Sequence, residues 1–332
     1  MRKIRDSLLH NHEGKLLLVV LALVVFLSVA TRSFFSLQNM IDLLTSYAFS
    51  GMLAAGLLVV LVSGGIDISF TASASVAQYI AMTIANHYNI GWVEVIAIAA
   101  AVGIACGLLN AVLIGTLGLS SIIVTIATLN VFFGLLMFFT HGNEIFSLPD
   151  WFSNGASWVV YTDAQQNPYV FNLQMIGLIG AFVLTAILLT RTNIGRQIYA
   201  LGSNAEAAKR VGIKIFRLNL LVYGYMGFVA GMASLIQAQD AQSVSPNALV
   251  GRELDVLAAV VLGGASLTGG IGTVRGTILG VMLLAFLQNG LLLLGVPSYW
   301  SQFFTGAVIL IAVGALAVER QRHKALARRV MA

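Results

Sequence analysis

Residues 253–270 read ELDVLAAVVLGGASLTGG, an apolar run that stops at two adjacent glycines and then becomes polar. Its apolar part, residues 254–264, gives roughly 17 Å of helix, which is shorter than the hydrocarbon core of a membrane at about 30 Å. A second apolar run stops at Ser63-Gly64-Gly65-Ile66-Asp67-Ile68-Ser69, where another apolar helix is expected to begin at once. Backbone that leaves a helix at membrane depth needs protein or a water-filled cavity to satisfy its polar groups. Helices broken at glycines in both halves of a chain therefore indicate a transport pathway.

The composition around these breaks is that of a membrane protein. The chain has 332 residues, of which 58% are hydrophobic and 9% charged, and its mean hydropathy is +0.91. Because a soluble domain is about one quarter charged, a soluble enzyme of two ordinary domains is excluded. With about 60% of the chain in spans of about 20 residues, the length predicts roughly ten transmembrane helices. We therefore predict an all-α polytopic membrane protein with a single transmembrane domain over residues 1–332, in which two helices are short or broken at glycines.

Basic residues predict the orientation of the chain. Fifteen of the 18 lysines and arginines fall within residues 1–15, 191–217 and 319–332. Cytoplasmic loops retain Lys and Arg, so we expect both termini and the 191–217 loop to be cytoplasmic, with lipid rather than nucleic acid as a partner. Segment 140–171 has no Lys or Arg and is expected outside, either as an ordered cap or as a mobile loop. The apolar runs lie near residues 16–30, 41–62, 68–85, 93–116, 121–139, 172–190, 218–238, 254–264, 276–294 and 300–318.

Polar residues at the first break are candidates for the solute pathway. They are Ser63, Asp67 and Ser69. A carboxylate in hydrocarbon costs on the order of 3 kcal/mol on insertion scales, so Asp67 should face a cavity or a partner. Alternatively, Asp67 or Ser69 caps the helix that opens there by accepting from its first free N–H groups. The two roles are compatible.

Two more groups of polar residues are pathway candidates. Glu253 and Asp255 stand at the start of the short eighth run, where either the helix dipole favours acidic residues or the two line a cavity and meet a polar solute. Thr125, Thr128 and Asn130 lie close together in the fifth run. They either bond back to their own helix backbone or form a polar stripe that binds hydroxyl groups of a solute.

The 191–217 loop carries the signals of a short helix. Asn204 is a good N-cap, and Gly212 suits the position just after the helix end. An acid in the first turn and two bases in the last turn complement the helix dipole. A helix of about two turns is not stable alone, so we expect it to dock on something rather than remain a solvated loop. The predicted docking residues are Asn204, Ala205, Glu206, Ala207, Ala208, Lys209, Arg210 and Gly212.

Motifs for bound nucleotide, metal or catalysis are missing from the sequence. There is no G-x-x-x-x-G-K-[ST], so this chain does not bind ATP through a P-loop. Residues 270–276, GIGTVRG, superficially resemble a phosphate-binding loop but follow no strand, which favours close helix packing. The five histidines are scattered and Cys106 is the single cysteine, so we predict no metal site and no cofactor. No catalytic dyad of an intramembrane enzyme is visible, and an ion-coupled secondary transporter of a small polar solute remains the alternative function.

The two breaks resemble each other. Residues 60–65, VLVSGG, align with residues 259–264, AVVLGG. This alignment predicts an internal duplication in which both segments end on the same side of the membrane. Chance similarity between two apolar helices is the other explanation.

These segments together resemble the ribose-type sugar permeases, which are membrane subunits of bacterial ATP-binding-cassette importers. The most specific match is ELD at 253–255, followed by AAVVLGG at 258–264 and GG at 269–270. Phe70 and Thr71 depart from the Val and Gly usual in that family, and Leu257 stands where Ile is common. Further support comes from Gly195-Arg196, Tyr199-Ala200, Gly202, Asn204, Ala207-Ala208 and Gly212-Ile213.

The resemblance implies a division of labour in the bacterial inner membrane. It implies that this chain pairs with a second permease, a copy or a paralogue, and forms the translocation pathway for a monosaccharide or similar small polar solute. An external binding protein would deliver the solute, and a separate cytoplasmic ATP-binding subunit would hydrolyse ATP. Residues 205–211 would then be the coupling helix in the groove of that subunit. A pentose, a hexose, a furanose-like signalling molecule and a nucleoside are not distinguished as cargo.

Overall fold

The structure, a computed structural model, describes residues 12–88, 90–155, 157–162, 168–297, 299–300, 302–308, 310 and 314. The predicted cytoplasmic tail 319–332, most of the predicted N-terminal segment 1–15 and part of the last apolar run, 300–318, lie outside the described residues.

Helices make up most of the described chain. Each predicted apolar run from 16–30 to 276–294 falls on one helix or on a bent pair of helices. The first elements are α1 His12–Ala30, α2 Leu37–Ser46, α3 Ala48–Val62, α4 Phe70–Tyr88, α5 Trp92–Leu117, α6 Ser121–Thr140, α7 Asp150–Ser153, β1 Ser157–Thr162 and β2 Pro168–Asn172. The remaining helices are α8 Leu173–Arg191, α9 Asn193–Ser203, α10 Ala205–Arg210, α11 Ile215–Ala241, α12 Glu253–Leu262 and α13 Val274–Leu293. Residues 302–308 are also helical.

Six of the described helices are long and apolar enough to cross a membrane, namely α1, α5, α6, α8, α11 and α13. The pair α2–α3 is a seventh candidate, bent by 51°. Helix α4 has 19 residues but carries buried polar side chains, and α12 has only ten residues. The chain is therefore a polytopic helical membrane protein, and the count of ten crossings stays a prediction.

Helix starts follow from capping side chains in the sequence. Ser36 accepts a hydrogen bond from the Asn39 amide at 3.2 Å at the start of α2. Asn172, Thr192 and Thr273 do the same at the starts of α8, α9 and α13. Such side chains satisfy N–H groups that the first turn of a helix leaves unpaired.

Helix α3 is the centre of the core. Every residue from 51 to 62 is buried, and the helix is apolar on all sides, as expected for one surrounded by protein. Its neighbours are α8, α11, α12 and α13.

Glycines bring α5 and α11 into backbone contact. A Cβ atom added to Gly103 would overlap the carbonyl of Gly227, and one added to Gly231 would overlap the carbonyl of Ala99. Gly107 likewise approaches the backbone of Tyr223, so the two helices run antiparallel. Small residues four apart on both helices make this close packing possible in a membrane.

The 140–171 segment is ordered where the structure describes it. Ile145 and Val244 exchange two backbone hydrogen bonds of 3.0 Å, and Phe152 is completely buried. The Trp92 and Trp151 rings meet edge to face at 5.3 Å between centroids. Strands β1 and β2 pair antiparallel, with Ser157 opposite Asn172 and an irregularity between Val159 and Tyr161. This packing supports the cap over the mobile loop.

The two breaks share one backbone geometry. Gly64 and Gly264 have φ angles of 87° and 93°, a left-handed conformation that glycine adopts without strain. The next amides, of Gly65 and Ala265, donate to the carbonyls of Val60 and Val260 at 3.2 Å. These bonds form the same Schellman motif in both places.

This geometry corrects the register of the predicted duplication. It pairs Gly64 with Gly264, whereas the sequence alignment paired Gly64 with Gly263 and is therefore wrong by one residue. Helices α10 and α13 end in the same motif, at Gly212 and Gly295. The motif alone is therefore not specific to a duplication, and the duplication itself stays a prediction.

Candidate functional site

The two breaks meet each other and α9. The Gly270 amide donates to the Val62 carbonyl at 2.9 Å. A Cβ atom added to Gly269 would lie 2.6 Å from the Cα of Gly64 and 2.9 Å from the Cα of Gly202. We call Gly64, Gly202, Gly269 and Gly270 the glycine junction. Both segments therefore end on the same side of the helix bundle, as the sequence predicted.

Side chains from distant parts of the sequence hold the second break. Tyr199 of α9 donates its hydroxyl proton to the Gly272 carbonyl at 2.7 Å, and burial raises the pKa of this hydroxyl above its ordinary value. His12 of α1 lies 2.9 Å from the Leu262 carbonyl through its Nε2 atom. The Thr273 hydroxyl donates to Glu13 at 2.5 Å. Helices α1 and α9 thus brace the turn between α12 and α13.

The chain between α3 and α4 is not helical, and within it Asp67 and Ser69 are buried. The Ile66 amide donates to the Ser121 hydroxyl at 2.9 Å, and the Ile66 carbonyl accepts from Thr125 at 3.2 Å. Protein groups therefore satisfy both backbone polar groups of Ile66, as non-helical backbone in a membrane protein requires.

Asp67 and Ser69 form a local hydrogen-bonded cap. One carboxylate oxygen of Asp67 accepts from the Ser69 amide at 2.8 Å and from the Ser69 hydroxyl at 2.7 Å. Asn110 of α5 donates to the same hydroxyl oxygen at 2.7 Å. Asp67 is 2% exposed. This arrangement supports the capping role, and a pathway role for Asp67 stays a prediction.

The hydroxyl of buried Ser63 also forms a local hydrogen bond, which it donates to the Val60 carbonyl at 2.7 Å.

Glu253 is buried and forms a second connection between the two broken segments, apart from the glycine junction. Its carboxylate accepts a short hydrogen bond from the Thr71 hydroxyl in the first turn of α4. Thr71 is one of the positions where the sequence departs from the ribose-type pattern, and the glycine usual there has no hydroxyl to donate. Asp255, in contrast, is exposed and borders a small cavity with Tyr47 and Ser50. The two acids of α12 therefore have different surroundings.

The three polar residues of α6 bond to backbone. Buried Thr125 bonds to Ile66, Thr128 donates to the Thr125 carbonyl at 3.3 Å, and exposed Asn130 donates to the Ile126 carbonyl at 2.8 Å. No hydrogen bond among the described residues joins them to Glu253 or Asp255.

A cleft that the sequence analysis missed lies between α2 and α13, and both polar and apolar side chains line it. Its volume is about 470 Å³. The Tyr47 hydroxyl donates to Gln288 at 2.7 Å, and the amides of Asn39 and Asn289 bond reciprocally at 3.1 and 2.9 Å. We call this the α2–α13 cleft, and its polar lining residues are Asn39, Asp42, Ser46, Tyr47, Gln288 and Asn289. The sequence signal that could have predicted this cleft is the adjacent pair Gln288 and Asn289 inside the apolar run 276–294.

The short helix of the basic loop forms as predicted. Asn204 accepts from the Ala207 amide at 3.0 Å, and Gly212 follows the helix end with φ 86°. Glu206, Lys209 and Arg210 are exposed.

One predicted docking residue points the other way. Ala208 is 2% exposed and packs inside this chain, whereas Ala207 is exposed. Ala208 is therefore not on a docking surface, and its prediction as a docking residue is wrong. Val211, which follows α10, is 77% exposed and takes its place on the outward face.

The glycines of the 270–276 segment and of α13 pack helix against helix. A Cβ atom added to Gly276 would overlap the Gly263 carbonyl, and one added to Gly280 would overlap the Ala259 carbonyl. This confirms the helix-packing interpretation over a phosphate-binding loop. Among the described residues, no group of three or more His, Cys, Asp or Glu lies close enough to hold a metal ion.

Comparison with known proteins gives consistent matches over nearly the whole chain. A family model described as "Branched-chain amino acid transport system / permease component" matches residues 39–313. The ribose import permease protein RbsC of Escherichia coli K12 is 32% identical over 308 residues, covering 91% of this chain and 92% of the relative. RbsC of Bacillus subtilis 168 is 35% identical over 293 residues, or 88% of each. The autoinducer 2 import system permease protein LsrC of Yersinia enterocolitica is 32% identical over 305 residues, 91% of this chain and 81% of the relative. No solved structure matches.

Proposed function

Because the chain belongs to the family of branched-chain amino acid transport system permease components, we propose that it is the membrane subunit of an ATP-driven importer for a monosaccharide or a similar small polar solute. It is a multi-pass permease of the bacterial inner membrane and not an enzyme. The observation that carries the proposal is the glycine junction, where both broken helices touch α9 immediately before the short α10.

The junction is suited to transmit movement from the cytoplasmic loop to the broken helices. Gly202 of α9 approaches the backbone of both breaks without an intervening side chain. Because backbone-to-backbone contacts are rigid, a shift of α9 displaces the end of α3 and the turn between α12 and α13. Helix α10 follows α9 after a single residue, Asn204, and presents exposed charges at Lys209 and Arg210. A partner that moves α10 therefore acts on both breaks at once.

The α2–α13 cleft supports a hydroxyl-rich cargo. Its amides, its tyrosine and Asp42 are donors and acceptors of the kind that bind sugar hydroxyl groups. None of its described lining residues is Lys or Arg, which an amino-acid carboxylate would call for. The RbsC relatives, which match about nine-tenths of this chain, are named ribose import permeases. We therefore favour a sugar over a branched-chain amino acid, with a furanose-like signalling molecule or a nucleoside as the second choice because of LsrC.

The proposed assembly has three further components. A cytoplasmic ATP-binding subunit engages α10, a periplasmic or extracellular binding protein delivers the solute, and a second permease, a copy or a paralogue, completes the pathway. The termini and the 191–217 loop are proposed to be cytoplasmic, and segment 140–171 external. The pathway residues are proposed to be Ser63, Asp67, Ser69, Thr125, Thr128, Asn130, Glu253 and Asp255, joined by the cleft residues.

Reconstitution tests this proposal. The permease is placed in proteoliposomes with its ATP-binding subunit, and uptake of labelled ribose is measured with the binding protein outside and ATP inside. We expect uptake only when ATP and binding protein are both present. Uptake by the permease alone, driven by a proton or sodium gradient, would establish the secondary transporter instead. Labelled leucine in the same vesicles tests the amino-acid alternative.

A further inference from the structure

A second cleft lies beside α10, where the basic loop enters α11. Its volume is about 390 Å³. Lys214 and Arg217 stand on one side, Val211 and Gly212 on another, and Leu221 borders it along α11. We propose that this cleft binds an anionic phospholipid, with the phosphate at the two cations and the first part of an acyl chain along α11.

The two cations are available to a ligand. Lys214 and Arg217 are exposed, and neither side chain forms a hydrogen bond or an ion pair with any described residue. They are three positions apart at the start of α11, so they project from neighbouring positions on one side of it. The 191–217 segment contains six basic residues and a single acid, Glu206, so little negative charge competes for them.

The backbone adds to the attraction for an anion. Lys214 is the N-cap of α11 and makes no side-chain capping bond, so no N-cap side chain satisfies the first amides of this helix. Helix α11 has 27 residues, and the N-terminus of a long helix favours a phosphate group. The cations and the helix end therefore act on the same place.

The wall of the cleft is apolar and leads into a membrane-crossing helix. Leu218 is buried and Leu221 and Ile194 are half-buried, and α11 is apolar enough to cross a membrane. A cationic rim next to an apolar wall at a helix entry matches a phospholipid, which carries a phosphate above an acyl chain. Basic clusters immediately cytoplasmic of a membrane helix attract anionic lipids for this reason.

A lipid fits this cleft better than an acidic edge of the ATP-binding subunit. The charges proposed to dock that subunit are Lys209 and Arg210 on α10, whereas Leu218 and Leu221 lie in the first turns of α11, a helix apolar enough to cross a membrane. Because Val211 and Gly212 belong to both the cleft and the end of α10, a bound lipid contacts the docking segment directly. The inference depends on the membrane assignment but not on the cargo or the energy source.

Native mass spectrometry of the purified permease complex tests the inference. The complex is exchanged into micelles containing either phosphatidylglycerol or phosphatidylcholine, and retained lipid is counted. We expect wild type to retain phosphatidylglycerol preferentially, and the double variant Lys214→Gln/Arg217→Gln to lose that preference by roughly tenfold or more, the scale of two basic residues at a membrane surface. The variant Lys214→Arg/Arg217→Lys keeps both positive charges and should show the same preference for phosphatidylglycerol as wild type.

The matched control is Lys209→Gln/Arg210→Gln, which removes the same charge from α10. It should leave lipid retention unchanged. Equal loss in both double variants would show a non-specific effect of net charge and overturn the inference. So would unchanged retention in Lys214→Gln/Arg217→Gln together with weaker binding of the ATP-binding subunit, which would assign the cleft to that protein. Lipid retention is measured without any transport assay. The lipid proposal can therefore be tested even if the protein does not take up sugar.

Discussion

Thr71 donates a hydrogen bond to the buried carboxylate of Glu253, although the two residues are 182 positions apart. The bond joins the first turn of α4 to the first residue of α12. The glycine junction joins the end of α3 to the turn between α12 and α13. The broken helices are therefore tied together at two levels.

Replacement of Thr71 by valine should weaken this tie. The Glu253 carboxylate then stays buried without its hydroxyl donor, which costs roughly 1–3 kcal/mol. We expect a lower melting temperature of the purified protein and slower uptake. The control Thr71→Ser keeps the hydroxyl and should behave like wild type. Equal stability of the valine and serine variants would show that the bond contributes nothing.

A methyl group at Gly202 should uncouple the permease. The added Cβ overlaps the Val62 carbonyl and lies 2.5 Å from the Gly270 amide, so α9 must move away from both breaks. We expect Gly202→Ala to retain ATP hydrolysis by the complex but to lose most ATP-dependent uptake. The control is Gly180→Ala in α8, where an added Cβ meets nothing within 4 Å. Normal uptake by Gly202→Ala would refute a role of the junction in coupling.

Charge reversal on α10 should uncouple ATP hydrolysis from solute uptake. Lys209 and Arg210 are exposed on the proposed docking face, so Lys209→Glu/Arg210→Glu should weaken the ATP-binding subunit's attachment. Reconstituted complexes should show reduced substrate-stimulated ATPase activity. Arg191→Glu, an exposed cation at the end of α8, is the control. Unchanged stimulation in the double variant would contradict the proposed docking.

A bulky residue at Ala208 has a different expected effect. Because Ala208 is buried within this chain, Ala208→Trp should overpack the interior and destabilise the protein by roughly 1–3 kcal/mol. Thermal unfolding of the permease alone measures this. A variant that is as stable as wild type and defective only in binding its partner would return Ala208 to the docking face.

Loss of an amide in the α2–α13 cleft should weaken solute binding during transport. Asn289→Leu removes one donor and one acceptor, and we expect the KM for uptake to rise roughly five- to tenfold, the scale of one lost hydrogen bond. Thr116→Val, which removes an exposed hydroxyl bonded only to its own helix, serves as the control. An unchanged KM would place the pathway elsewhere.

Asp67 offers a test between capping and pathway roles. Asp67→Ala removes both bonds to Ser69, and the loss of a cap costs about 0.5–2 kcal/mol. Asp67→Asn keeps an oxygen that accepts from Ser69, so stability and assembly should be nearly unchanged. Uptake per assembled complex then decides the question. A clear loss in Asp67→Asn with intact assembly would favour the pathway role.

Local signals in the sequence predicted much of this protein. The apolar runs, the glycines that end α3 and α12, and the Asn204 cap act within a few residues of themselves, so each could be predicted without the fold. The scarcity of charge likewise required a membrane. The family resemblance rests on the same segments and agrees with the comparisons.

Tertiary structure decided which distant segments meet. The sequence contains no sign that His12 lies beside Leu262, that Thr71 bonds Glu253, or that Gly202 fits between the two breaks. Such contacts depend on how helices pack, which is set by side-chain volume and backbone approach over the whole bundle. The same holds for Ala208, since a short helix shows its composition in sequence but not which side faces inward. The sequence by itself determined a broken-helix permease, and packing determined that both breaks and the 191–217 segment share one junction.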